Sequence, residues 1–268
     1  MHRLTRGVRF SINPFLSEES EGANSYVSRP ACEGLALYLE LSVEVVGEVK
    51  PATGFIVNVT DIDKNVRRFA VPVFVERIKD DFRGARHITL ATITELLGSA
   101  WNRLSDKFGT ARLSKLSLKL NPSRTVAIDS KGFEMFYLCE KFEFAATHTL
   151  WNEDFSSEKN LEVFGKCANP TGHGHNYIIE VTIKVPNGVN NFSICDFEKV
   201  VDGELIKIVD HKNLNLDVGW FKGANPTVEN ITSFAWNKLV GKFDSASLHG
   251  VTVWENDRTC CSYYGGKS

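Results

Sequence analysis

The chain has 268 residues, 43% apolar and 24% charged, with a formal net charge of −2. That length allows one large or two small domains around a packed core, and the near-neutral balance excludes a general attraction to nucleic acid or anionic membrane. No apolar run reaches the roughly 18 residues of a membrane span, and the amino terminus, MHRLTRGVRFSINPF, is too polar for a signal peptide.

Residues 1–34 are loosely patterned, with a short strand expected at Val8–Ile12 and a polar loop at 17–30. Leu35–Val46 alternates apolar and polar residues and reads as a strand. GEVKPATGF then reads as a hairpin loop, with Ile56–Val59 as the returning strand. Residues 61–80 have mixed helical spacing interrupted by Pro72, and Thr92–Phe108 reads as an amphipathic helix. Leu113–Leu120 and Thr125–Ile128 form a strand pair.

The plan then recurs. Leu138–His148 is a strand, and Tyr177–Val185 is expected to pair with Phe192–Cys195 across PNGVNN. Phe197–Val209 carries a helical apolar stripe. Asn225-Pro226-Thr227 opens another helix, and Leu248–Glu255 and Cys261–Tyr264 are the last strands.

The recurrence has a measurable offset. WNRLSDKF from Trp101 and WNKLVGKF from Trp236 lie 135 positions apart, as do Asp61 and Asp196, and Leu113 and Leu248. Two tandem copies of one strand–strand–helix–helix–strand–strand unit follow, over 1–132 and 133–268. In this register the framework repeats, but the chemistry-bearing residues do not. Upstream of the hairpin the offset becomes about 138, where His173 and His175 meet Leu35 and Leu37; at about 134 His148 meets Pro14, and at 135 Glu255 meets Leu120 and Asp210-His211 meets Val75-Glu76. Folding alone does not require polar groups at these positions in one copy only, so the second copy reads as active and the first as scaffold.

The stretch CANPTGHGHNY (167–177) carries the densest chemistry. If the following strand reaches back to His173, then His173 and His175 share one face. With His148 at the end of the preceding strand, three imidazoles supply three corners of a tetrahedron, the usual holding of catalytic zinc. Cys167 has two readings: a fourth, structural ligand, or a reactive thiolate off the metal whose pKa nearby positive charge lowers. The six cysteines (32, 139, 167, 195, 260 and 261) show no CxxC spacing. In a chain with no export signal they read as free thiols of a cytoplasmic protein. Asp210-His211 is either an acid–base pair or a solvated loop. Glu255 shares parity with Val251 and Val253 and should face inward, toward paired N–H donors of a ligand or toward an Arg or Lys. Thr227 and Glu229 sit at a helix start, where a cap is the plain explanation.

These residues fall in a recognisable order. FEFAATHTL, EKNLEVFGKCANPTGHGHNYIIEVTI, DHKNLNLDV, NPTVEN and VTVWEN make the second copy, about 135–265, resemble 6-pyruvoyl-tetrahydropterin synthase. The resemblance implies an α+β tunnelling fold: a four-stranded antiparallel sheet with two helices on one face, assembled into homo-oligomers with sites between subunits. The first copy looks like a degenerate unit of the same kind. The resemblance further implies zinc on His148, His173 and His175, and catalysis by Cys167 with Asp210 and His211. It implies pterin binding by Glu255, with Thr227 and Glu229 carried as further substrate-binding positions. The implied reaction removes triphosphate from 7,8-dihydroneopterin triphosphate with rearrangement of the side chain. Two other readings stand beside it: the related 6-carboxy-tetrahydropterin reaction, and a zinc-containing pterin-binding scaffold without turnover. Five residues between Cys167 and His173 favour the 6-pyruvoyl type.

Overall fold

The computed structural model describes residues 1–16, 34–189 and 192–266. The polar loop expected at 17–30, Cys32 and residues 190–191 lie outside them. The chain divides into two compact units, residues 1–138 with 186–188, and residues 139–185 with 189–268. The strand over Gly132–His148 spans this division.

In the first unit, β1 (His2–Ile12) pairs antiparallel with β2 (Leu37–Gly47) along its whole length. Val8, Phe10 and Ile12 of β1 and Leu41, Val43 and Val45 of β2 are buried. Arg3 and Arg9 lie on the other face, bonded across the strands to Glu44 and Glu40. That charged face explains why only the apolar end of β1 is visible as a strand in the sequence.

The expected strand Ile56–Val59 does not form. Asn58 caps a helix instead, its Oδ1 accepting from the Thr60 N–H at 3.0 Å. The helix runs as α1 (Val59–Asn65), a π-helical turn (Val66–Ala70) and α2 (Val71–Arg83). Helix α3 (Leu90–Leu104) starts at a capping box between Thr89 and Thr92. Strands β3 (Arg112–Lys119) and β4 (Arg124–Asp129) complete the antiparallel order β1-β2-β3-β4.

The second unit repeats the plan. Strand β5 (Gly132–His148) enters it at Cys139. A helix missed in the sequence, α4 (Ser157–Phe164), and a 3-10 turn (Gly165–Ala168) that holds Cys167 precede β6 (His173–Pro186). The strand expected at Phe192–Cys195 is likewise absent. Ser193 caps α5 (Ile194–Val201), its Oγ accepting from the Asp196 N–H. Ser193 stands at the repeat offset from Asn58, so both copies turn directly from strand into helix.

A π-helical turn (Asp202–Ile206) and α6 (Lys207–Val209) continue α5. This π turn matches Val66–Ala70 but has no proline after it, so Pro72 is not what requires the irregularity. The short β7 (Lys212–Asn213) lies parallel to β5, and α7 (Leu214–Asp217) and α8 (Val228–Leu239) follow. Strands β8 (Ser247–Asn256) and β9 (Thr259–Tyr263) close the sheet in the order β5-β6-β8-β9. The inward side chains of β6, from Tyr177 to Val185, are fully buried, as are Ala235 and Leu239 of α8. Each unit is thus α+β, a four-stranded antiparallel sheet with two helices on one face, in the tunnelling-fold arrangement. Among the described residues, no helix is long and apolar enough to cross a membrane.

Candidate active site

Strand β6 reaches back to His173, so His173, His175 and Tyr177 line one face with alternating Gly174 and Asn176 on the other. His148 ends β5 on the matching face, only 1% exposed. The ligand nitrogens of the three histidines lie within 4.8 Å of one another, and His148 Nε2 is 3.1 Å from His173 Nε2. The ring centroids are 4.4 Å apart for His148–His173 and 4.8 Å for His173–His175.

Glycines permit this approach. A Cβ on Gly174 would stand 3.1 Å from Thr147 Cγ2 and 3.2 Å from the Ala146 carbonyl oxygen. Gly172 adopts φ +73°, and a Cβ there would meet the His148 carbonyl oxygen at 3.1 Å.

The cluster fits a metal by its donor set. Three histidines are a recurrent catalytic zinc set. Among the described residues, His173 Nδ1 and His175 Nε2 are buried without a hydrogen-bond partner, an arrangement that costs free energy unless something fills it. Burial holds the His148 imidazole far below its ordinary range, at about 4, so the ring is neutral and keeps a lone pair. Burial also lowers His173. Behind the cluster, His148 Nδ1 lies 2.7 Å from the Pro226 carbonyl oxygen, the kind of outer contact that orients a metal-binding imidazole.

Asparagines hold the surrounding loops; sequence reading named Asn225 only as part of a helix start and missed Asn215 and Asn160. Asn215 pairs with the Thr149 backbone through both ends of its amide, at 2.8 and 2.9 Å. Asn225 Oδ1 accepts from the Trp151 N–H, and the Asn225 carbonyl accepts from Asn230 Nδ2. Asn160, fully buried, ties Asn152 to the start of α4. Their recurrence beside the motifs WN, NLN and NPT was the available signal.

Glu255 faces the histidines. Its Oε1 is 3.5 Å from His175 Nε2 and 3.7 Å from His148 Nε2, and among the described residues these imidazoles, not an Arg or Lys, are its ion-pair neighbours. Cys167 is half-buried, and the Leu150 N–H donates to its carbonyl oxygen at 2.9 Å, tying its turn to the segment after His148. The positive charge that would lower the thiol pKa is that of a metal on the three histidines; the protein's own groups act the other way. Burial pushes it up, and the Glu255 carboxylate raises it further.

Asp210 and His211 are brought together but not to Cys167. Asp210 Oδ2 is 2.9 Å from His211 Nδ1, and its Oδ1 accepts from the Ala145 N–H at 2.9 Å. These bonds hold the Asp210 carboxyl below its usual range, the Ala145 N–H contributing most. His211 takes φ +55° and its side chain is 83% exposed. It borders a cleft of about 440 Å³ whose lining includes Ala145, Thr147, Gly174 and Asn176, together with His175 of the cluster. Thr227 caps α8, accepting from the Asn230 N–H, and Glu229 is exposed on its first turn. For Thr227 the cap is the role visible in the structure, and Glu229 is the acidic residue of the helix's first turn.

The sequence profile of the family described as 6-pyruvoyl tetrahydropterin synthase matches residues 137–266. Human 6-pyruvoyl tetrahydrobiopterin synthase is 35% identical over 128 residues, spanning 47% of this chain and 88% of the human protein. The Drosophila melanogaster protein of the same name is 33% identical over 133 residues, 48% of this chain and 79% of that one. The solved Caenorhabditis elegans 6-pyruvoyl tetrahydropterin synthase aligns at 31% identity with a TM-score of 0.46, over 49% of this chain and 96% of that one. With a relative at this identity covered over most of its length, the chain belongs to the 6-pyruvoyl tetrahydropterin synthase family of lyases.

Proposed function

We propose that this chain is a zinc-dependent lyase that removes triphosphate from 7,8-dihydroneopterin triphosphate and rearranges the side chain, as a 6-pyruvoyl-tetrahydropterin synthase. The observation that carries this reading is the convergence of His148, His173 and His175 with Glu255 beside them and Cys167 near Glu255. Zinc held by the three imidazoles would act as a Lewis acid on side-chain oxygens of the substrate. Glu255 accepts the paired N–H donors of the pterin ring. Cys167 takes the proton from carbon, and Asp210 with His211 carries protons onward.

In this reading 133–268 is the catalytic unit and 1–132 is scaffold without active-site residues. The protein works in the cytoplasm as a homo-oligomer. Its Asp210–His211 pair serves Cys167 of another copy, which the open exposure of the His211 side chain supports. Mixing inactive Cys167→Ala and His211→Ala proteins would then restore part of the activity through hybrid sites; no recovery after exchange of subunits is confirmed counts against a shared site.

The primary test is a product assay by mass spectrometry on zinc-loaded protein given 7,8-dihydroneopterin triphosphate. A 6-pyruvoyl product that disappears in Cys167→Ala supports the reading. A 6-carboxy product reassigns the reaction within the same site, and absence of turnover with zinc bound points to a pterin-binding scaffold.

A further inference from the structure

Tyr177 is fully buried, yet its phenol oxygen has no hydrogen-bond partner among the described residues. A buried hydroxyl left this way is unfavourable, and phenylalanine would fill the same space without the penalty. The ring cannot turn away to find a partner. It stacks on Phe144 with centroids 4.8 Å apart and planes 12° from parallel, and it meets His175 edge-on at 5.5 Å and His148 at 6.3 Å. Its electrostatic neighbours are Glu255 and Cys167. The phenol is therefore held rigidly among the side chains that surround the candidate site, while serving none of them.

We infer that Tyr177 is a positioning and binding residue whose O–H donates a hydrogen bond to a side-chain oxygen of a bound dihydropterin. The inference rests on the proposed pterin chemistry. The choice of the side chain over the ring follows from the neighbours. The histidines and Cys167 are the groups proposed to address the side chain, and Tyr177 packs directly against two of those histidines. Glu255 is an acceptor suited to the N–H edge of the ring, so a donor is what the remaining wall lacks. No covalent step is assigned to the phenol.

The test uses the full chain, zinc-loaded, with 7,8-dihydroneopterin and 6-methyl-7,8-dihydropterin as probes. The second lacks the hydroxylated side chain. Tyr177→Phe should melt no lower than the unsubstituted protein and keep the same zinc content. Its Kd for dihydroneopterin should rise about five- to thirtyfold, the range of one hydrogen bond in a buried site, while Kd for the methyl compound stays the same.

A purely structural phenol would shift melting temperature without separating the two ligands. Equal dihydroneopterin affinity in both proteins overturns this role alone, and equal losses for both ligands overturn the assignment to the side chain. If the unsubstituted protein binds neither pterin, the proposed function falls and this role with it. Should Tyr177→Phe fold poorly, fluorotyrosine placed at 177 gives the second readout. Its fluorine resonance should move on adding dihydroneopterin and stay in place with the methyl compound; no movement with dihydroneopterin overturns the contact.

Discussion

His148 Nδ1 faces the Pro226 carbonyl oxygen at 2.7 Å, across 78 positions of sequence. A carbonyl only accepts, so Nδ1 carries the proton and Nε2 presents its lone pair to His173 and the space between them. One backbone contact thus sets both the tautomer and the aim of the most buried histidine.

That contact depends on Asn225, which is bonded to Trp151 and Asn230 immediately before Pro226. Asn225→Ala should lower zinc affinity about 10- to 100-fold, the usual effect of disturbing an outer-shell partner. Chelator competition measures it, with circular dichroism to verify the fold. Unchanged affinity would show that Pro226 is held by other means.

Gly174→Ala should force β6 away from β5, because the new methyl meets both Thr147 Cγ2 and the Ala146 carbonyl. A stability loss of about 1–3 kcal/mol is expected, with weaker zinc binding. Adding Thr147→Ser removes one of the two contacts and should recover part of both. Denaturant unfolding of the single and double variants decides whether the glycine serves close approach.

His211 occupies left-handed backbone, at φ +55°. His211→Gly relaxes this conformation while His211→Ala leaves it strained, so the glycine variant should be the more stable by about 1 kcal/mol. Both lack the imidazole and both should lose turnover. The reverse order of stability would show that the loop relaxes without cost.

The Cys167 thiol, raised by burial and by Glu255, should resist alkylation at neutral pH in zinc-free protein and react faster only above its ordinary 9.0. Because the folded state favours the neutral thiol, its contribution to stability is full below the unfolded pKa and is lost as pH rises through the folded value. Glu255→Gln removes the neighbouring negative charge and should quicken alkylation at neutral pH. Peptide mapping by mass spectrometry separates Cys167 from the exposed Cys195 and Cys260. A slower rate in Glu255→Gln would mean that the carboxylate activates the thiol.

The sequence by itself determined the two-copy plan and the strand that carries His173 and His175, and it singled out the candidates for the chemistry. These are local signals: alternation of period two, a repeat offset, and residue types that differ between matched positions. It misread Ile56–Val59 and Phe192–Cys195 as strands, because their apolar character outweighed the Asn58 and Ser193 caps that turn them into helix starts. It also left α4 unseen, since that helix is short, polar and closed by the buried Asn160.

Only the tertiary structure decided which residues meet. The approach of His148 to His173, the carbonyl of Pro226 behind it, and the raised Cys167 thiol all depend on burial and on contacts between distant segments. The same holds for Asp210-His211, whose adjacency in sequence says nothing of its bond to Ala145. Spacing along a chain fixes which face a side chain takes within one element; which elements then pack together, and how much water they exclude, is settled by the fold.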